Sequence, residues 1–565
     1  MNAPDPGIET TRSYNFIILS WQASFYYLAV TWSILWALVL FYNIYFHPLK
    51  RIPGPMLPAA TSLWIRWQRW QGKLSFTADD LLAIYGPVIR ISPNMVLVND
   101  PTAVSAAFAK QNLDTAPKAI RALRIGGHDW TVTYPQIDIA RPRRRPVMMA
   151  TTTRHLKYWL PLFETYVGDM ISNIMRANGE KSVDIVHQLR MTTLYISQVI
   201  LGGASVRLDG DTFPEAVGEY NFLVVWRLVF PEWMINWLRY GPSAKARYRI
   251  KSSDLLYKLG EDLYKQAEAT SGPMDEEEAP SVYQLFTQNE KGEKINWTHA
   301  EISSEMAGQL LAATETTSST IAFIMYELAK NPGLVERLYS ELQTVTGNNE
   351  LDTLKLLGAS VFIMYELAKN PALVEQLYSE LQRVTGNNEL DTLKLLDATI
   401  KEGLRFRPPV ALTGSRTVPK GGMEVMGYFV PEGTVLTTQA LSICRQRPDL
   451  FPNADVFDPS RWLESEYLDE RRKLLVPFGV GTRRCPGGNL AVYQIRLIIG
   501  ALIRNFKIAV APETTPKSMR PFRRTDFVLA MIVVTSSSPT RKSLKRVIIV
   551  SSKSRFPPRM YISNE

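Results

Sequence analysis

Phe478-Gly479-Val480-Gly481-Thr482-Arg483-Arg484-Cys485-Pro486-Gly487 is the most informative stretch of this chain. Its pattern, F-x-x-G-x-R-x-C-x-G, presents one cysteine in a glycine-rich turn just ahead of a helical run from Asn489 to Asn505. The glycines permit a sharp turn and bring amide N–H groups close to the sulfur. A thiolate held in this way can be the axial ligand of a haem iron, where it pushes electron density onto the metal and favours O–O cleavage. Arg483 is placed to pair with an anionic haem propionate. Most lone cysteines are small buried side chains. Five specified positions in ten residues, headed by Phe478, argue against that plainer reading.

Four further segments, in chain order, make the sequence resemble the cytochrome P450 family of haem-thiolate monooxygenases over nearly its whole length. Ala312-Ala313-Thr314-Glu315-Thr316-Thr317 resembles the oxygen-side segment of the family's long central helix, with Ala313 in place of the more usual glycine. Glu402-Gly403-Leu404-Arg405 resembles its E-x-x-R helix, and Phe457 to Trp462 resembles the segment whose arginine, here Arg461, completes a buried ion-pair network with Glu402 and Arg405. Arg416, in Ser415-Arg416-Thr417-Val418-Pro419, stands where the family usually places a propionate-binding arginine.

The resemblance implies haem b (iron protoporphyrin IX), with Cys485 as axial ligand and Phe478, Arg483 and Arg416 around it. Thr316 would hydrogen-bond on the oxygen side and Glu315 would relay protons. In the basic run Arg141-Pro142-Arg143-Arg144-Arg145, Arg143 is the favoured propionate partner and Arg141 the alternative. Gln494 stands where many relatives have glutamate and reads as surface-facing.

The 565-residue chain carries a formal charge of +10, yet no basic stripe with interleaved aromatics argues for nucleic acid. With two cysteines, Cys444 and Cys485, a disulfide framework is excluded, and five histidines without metal-site spacing make zinc a poor fit. From Ala23 to Phe46 the chain is nearly all apolar or aromatic and uncharged, and roughly 20 such residues span a bilayer. Lys50 and Arg51 follow, which places the rest in the cytosol. The expected organisation is a lumenal segment 1–22, an anchor 23–46, a proline-rich hinge 47–58, a catalytic domain 59–530 and a basic, Ser-rich tail 531–565.

Helical periodicity over 167–202, 252–269, 297–330 and 488–506, with a hairpin near 85–100 and a short sheet near 422–437, predicts a mostly α fold with minor β structure. One feature departs from a single domain. Residues 323–357 recur as 362–396, thirty-nine positions later, and differ only at Gly333/Ala372, Arg337/Gln376 and Thr344/Arg383. Two copies do not make a solenoid. The first copy would extend the central helix, the second would lead into the E-x-x-R helix, and one set of apolar faces would lack a core site.

The expected activity is hydroxylation or epoxidation of a lipophilic small molecule with molecular oxygen, in fungal secondary metabolism. Electrons would come from a separate NADPH-dependent reductase, at the endoplasmic reticulum membrane. Two rival readings stay open at this point: a haem-thiolate isomerase or dehydratase, and a non-catalytic product disrupted by the duplication.

Overall fold

The computed structural model describes residues 6–345 except 112, 177–184, 209–211, 276, 289–294 and 296. It also describes residues 393–508 except 411, and two short strands at 533–534 and 546–548. The architecture is mostly helical. Its principal helices are α1 (Pro6–Tyr45), α2 (Met56–Ala60), α3 (Leu63–Gln71), α4 (Ile137–Ala150), α5 (Thr153–Arg176) and α6 (Ile185–Gly202). They continue as α7 (Phe213–Val229), α8 (Ala244–Thr270), α9 (His299–Ala329), α10 (Pro332–Val345), α11 (Lys394–Phe406) and α12 (Gly488–Asn505). Strands β1 (Val88–Ser92), β2 (Met95–Val98), β3 (Leu412–Thr417) and β6 (Val435–Gln439) form one sheet in the order β1-β2-β6-β3. β4 (Met423–Val425) and β5 (Tyr428–Val430) form a separate hairpin.

The central helix α9 starts at a reciprocal cap. The Thr298 hydroxyl accepts from the Glu301 N–H, and the Glu301 carboxylate accepts from the Thr298 N–H. The helix then runs 31 residues through the core, flanked by α6, α8 and α12. It ends where Asn331-Pro332 breaks it, and Asn331 Oδ1 accepts from the Leu334 N–H to start α10. Leu334, Val335, Leu338 and Leu342 of α10 are buried in the main core.

These α9 and α10 residues belong to the first copy of the repeat. The Glu341 carboxylate accepts from Leu395 N–H at 2.7 Å and Leu396 N–H at 2.9 Å, so it caps α11, whose first turn ends the second copy. Among the described residues, the fold takes 323–345 from one copy and 393–396 from the other. The core positions expected for one copy are filled by the first. Their counterparts Leu373, Val374, Leu377 and Leu381, with the rest of 346–392, lie outside the described residues.

In the apolar helix α1, Ser24–Tyr45 has a mean hydropathy of 1.7, and none of its most apolar stretch is buried. Its last turn is fastened to the domain. Buried Arg90 of β1 donates through Nη1 to Asn43 O at 2.8 Å and through Nη2 to Pro93 O at 2.8 Å, while Asn43 Nδ2 donates to Ala60 O at 2.8 Å. Beyond α12 the chain departs from a plain tail. β8 (Val533–Val534) and β9 (Arg546–Ile548) join β7 (Lys507–Ile508) in a small sheet of order β7-β9-β8.

Candidate active site

Cys485 sits between the single turn Gly481–Arg483 and the start of α12. Its N–H donates to Phe478 O at 2.7 Å and closes the loop. Gly481 has φ +71°, and a Cβ there would stand 2.5 Å from Phe108 O. Only glycine lets the loop seat on that backbone. The Cys485 side chain is exposed, with protein packed closely around it. Burial raises its pKa above the ordinary thiol value, while the Gly487 N–H, Arg144 and Arg484 pull it down. A bound metal cation would complete the deprotonation. Cys444, by contrast, is buried beside Phe451 and Trp462, and burial pushes its pKa up to about 12, which makes it inert.

Three guanidiniums share this side of the molecule. Arg416, on β3, is pushed down to about 10 by burial and then by repulsion from Arg483 and Arg144. Burial and Arg144 lower Arg483, which donates through Nη1 to Tyr134 O at 3.0 Å and also to Pro135 O. Burial lowers Arg144 too, and the Cys485 and Glu305 charges oppose that shift. Arg144 Nε and Nη2 and Arg483 Nε have no hydrogen-bond partner. Buried donors without acceptors are costly. Three mutually repelling cations fit a group that supplies negative oxygens, as haem propionates do.

Arg143 is engaged through Nη2, while its buried Nη1 has no hydrogen-bond partner and stands 3.7 Å from Glu305 Oε1. It pairs with Glu301 and lies over the rings of Tyr134 at 4.4 Å and Trp297 at 4.1 Å. Arg141 is exposed. The inward residue is Arg144, because Ala140, Arg144, Val147 and Ala150 recur at helical spacing on the buried face of α4. Val147 and Ala150, three and six residues after Arg144, were the sequence signal that separates it from Arg143. The same distinction corrects Gln494, which is fully buried in α12 rather than surface-facing.

The network expected of Glu402, Arg405 and Arg461 is present and closed. Glu402 accepts from Arg405 Nε and Nη2, both at 2.8 Å, from Arg461 Nε at 3.2 Å and from Trp462 Nε1 at 2.9 Å. The Asp458 N–H adds a bond at 2.9 Å, and the remaining guanidinium donors reach the carbonyls of Pro452, Ala454 and Val456.

Along α9, every residue from Ile302 to Ala329 is buried except Ala312, Ala313 and Thr316. These three residues are the one partly accessible stretch of the otherwise buried run from Ile302 to Ala329. Thr316 Oγ1 donates to Ala312 O at 2.7 Å, the local back-bond a helix offers to threonine. Glu315 Oε1 accepts from Arg190 Nη2 at 2.8 Å, while Glu315 Oε2 has no partner. Trp130 lies flat against the helix at Gly308, where a Cβ would stand 2.2 Å from its ring, and its Nε1 donates to Leu123 O.

Comparison with known proteins agrees with this geometry. The family profile described as Cytochrome P450 matches residues 56–360 and 357–532, two stretches that meet inside the repeat. The chain is 26% identical over 497 residues to Cytochrome P450 monooxygenase FUM2 of Gibberella moniliformis, covering 84% of this chain and 94% of that protein. It is 24% identical over 506 residues to averantin hydroxylase of Dothistroma septosporum, covering 86% and 85%. It is also 24% identical over 480 residues to trichothecene C-15 hydroxylase of Fusarium sporotrichioides, covering 84% and 90%. Among solved structures, retinoic acid-bound cyanobacterial CYP120A1 has the same fold, with a TM-score of 0.56 at 22% identity over 75% of this chain and 86% of that one.

Proposed function

Since the chain belongs to the cytochrome P450 family and is a haem-iron monooxygenase acting on a lipophilic small molecule with molecular oxygen, we propose that Cys485 is the iron's axial ligand. The haem is haem b, and Arg144, Arg416 and Arg483 receive its propionates. When bound, this group supplies oxygen activation and transfer of one oxygen atom to substrate carbon. The chain's residues supply the rest. The loop 478–487 presents the thiol and excludes bulk water. Thr316 exchanges its bond to Ala312 O for one on the oxygen side and holds a proton there. Glu315, with one oxygen free, passes protons inward and is held in place by Arg190. Glu402, Arg405 and Arg461 keep the thiol side of the fold in register.

The observation that carries this reading is the pairing of the Cys485 thiol with Arg144, which keeps unpartnered buried donors and also faces Glu305 of α9. An isomerase or dehydratase would leave Thr316 and Glu315 without a task. The fungal hydroxylases to which the chain is similar favour hydroxylation of a fungal secondary metabolite. A separate NADPH-dependent reductase provides the electrons.

The membrane is the remaining partner. α1 anchors the chain in the endoplasmic reticulum as a single pass, with the domain on the cytosolic side next to Lys50 and Arg51. Trp233, Trp237 and Tyr240, exposed by 71%, 67% and 85%, suit the interfacial zone of the same bilayer.

The test is the reduced carbon monoxide spectrum of membranes containing the full chain. The wild type gives the strongly red-shifted haem-thiolate band, and Cys485→Ala and Cys485→His lose both the band and turnover. A retained band in either variant overturns the ligand assignment.

A further inference from the structure

The proposed site leaves one buried acid unused. Glu305 lies on α9 and is fully buried, and neither of its carboxylate oxygens makes a hydrogen bond of normal geometry. Its stripe on the helix, Glu305-Gln309-Ala312-Thr316, has the i, i+4, i+7, i+11 spacing of one face. Groups face it from each neighbouring element. From α4 come Arg143, with Nη1 at 3.7 Å from Oε1, and Arg144, whose charge Glu305 supports. From the preceding loop come Thr131, through its hydroxyl and N–H, and Tyr134. From α9 itself come Glu301, which shares Arg143, and Gln309. α8 packs on the other flank through Gly260, against Ser303 and Ala307.

Counting charge narrows its role. Around the Cys485 side, Arg143, Arg144, Arg416, Arg483 and Arg484 bring five positive charges, and Asp114, Glu301 and Glu305 bring three negative ones. Two propionates balance the excess, and a ferric porphyrin core cancels its thiolate. An added electron then has nothing to neutralise it. Glu301 is tied into its helix cap and bonded to Arg143, so its negative form is held. Glu305 is the carboxyl whose oxygens make only weak contacts, with Thr131, Gln309 and Arg143.

We propose that Glu305 is a positioning residue coupled to electron entry: it holds the α4 arginines toward the haem side and takes up one proton when the Cys485 site receives one electron. The inference rests on the function proposed above. In the balanced step, one electron comes from the reductase and one proton from solvent settles on a Glu305 oxygen, and no bond of the substrate changes. Burial lifts the Glu305 pKa to about 7, with Thr131, Arg143 and Gln309 opposing the shift, so its carboxyl is poised to gain a proton near neutral pH. Added negative charge nearby raises its proton affinity further. The reduced form is therefore favoured as pH falls, and the midpoint potential drops as pH rises through neutrality.

The experiment is a potentiometric titration of the holoenzyme at several pH values around 7, with the carbon monoxide band confirming haem-thiolate loading at each. The wild type shows a potential that falls with pH, Glu305→Gln removes that slope, and Glu301→Gln keeps it. A slope that survives in Glu305→Gln overturns the proposal, as does a flat wild-type profile. If Glu305→Gln does not take up haem, Glu305→Asp decides. A carboxyl drawn back by one methylene shifts the pH at which the slope is centred, and an unshifted profile overturns the proposal. Failure of the red-shifted band in the wild type would instead sink the Cys485 assignment, so the two failures are distinguishable.

Discussion

Two buried clusters of charge divide this molecule, and they differ in one respect. Around Glu402 the guanidinium donors of Arg405 and Arg461 find acceptors, and the carboxylate collects five donors. Around Cys485, Arg144, Arg416 and Arg483 repel one another, and Arg144 and Arg483 keep donors with no acceptor. The first cluster is complete within the protein and stabilises the fold. The second is complete only when something anionic arrives. Satisfaction of hydrogen bonds therefore separates structural charge from binding charge where burial does not.

Removing Glu402 should have the largest effect of all. Glu402→Ala leaves two buried guanidiniums and the Trp462 N–H without their acceptor, a cost of about 3–5 kcal/mol. Little folded holoprotein is expected in haem-per-polypeptide and melting measurements. A well-loaded variant with an unchanged melting curve would mean that the closed network is not what holds the fold.

The half-closed pair Glu315–Arg190 lies between the two extremes, and substitution there should cost chemistry rather than stability. Glu315→Gln and Thr316→Ala are expected to keep haem but to lose up to about a hundredfold in product formed per NADPH, with the electrons appearing as peroxide. Unchanged coupling in both would remove them from proton delivery.

In the open cluster the two effects should have opposite signs. Arg416→Ala relieves a repelled, desolvated charge, so the haem-free chain should melt no lower than the wild type. Haem retention should fall about tenfold, because a charge-assisted bond to a propionate is lost. Loss of haem-free stability with retention intact would place Arg416 in the structural class.

The smallest effect concerns the repeat. Deleting 346–384 joins Val345 to Thr385 and keeps every described residue of α9, α10 and α11. The shortened chain should bind at least as much haem and melt a few degrees higher, since a redundant apolar segment is gone. Loss of haem on deletion would show the extra segment to be integral to the fold.

Much was legible from local pattern alone. The cysteine loop, the E-x-x-R helix, the segment around Arg461 and the accessible turn at Ala312 to Thr316 are short motifs, because turn geometry and helical spacing are set by neighbours in sequence. The apolar length of α1 and the existence of two repeat copies were likewise visible as composition and identity. Phase and competition were not. Whether Arg143 or Arg144 turns inward depends on which face of α4 meets α9, and Gln494 reads as polar until α12 is packed. Which copy of the repeat fills the core depends on Glu341 reaching Leu395 and Leu396 across the chain. Glu305 became a candidate only when α4 and the loop at Thr131 closed around it. Sequence thus determined which chemical groups this protein possesses and which local turns present them. Tertiary structure decided which of those groups are left unpaired, because a partner far away in the chain is found only by folding.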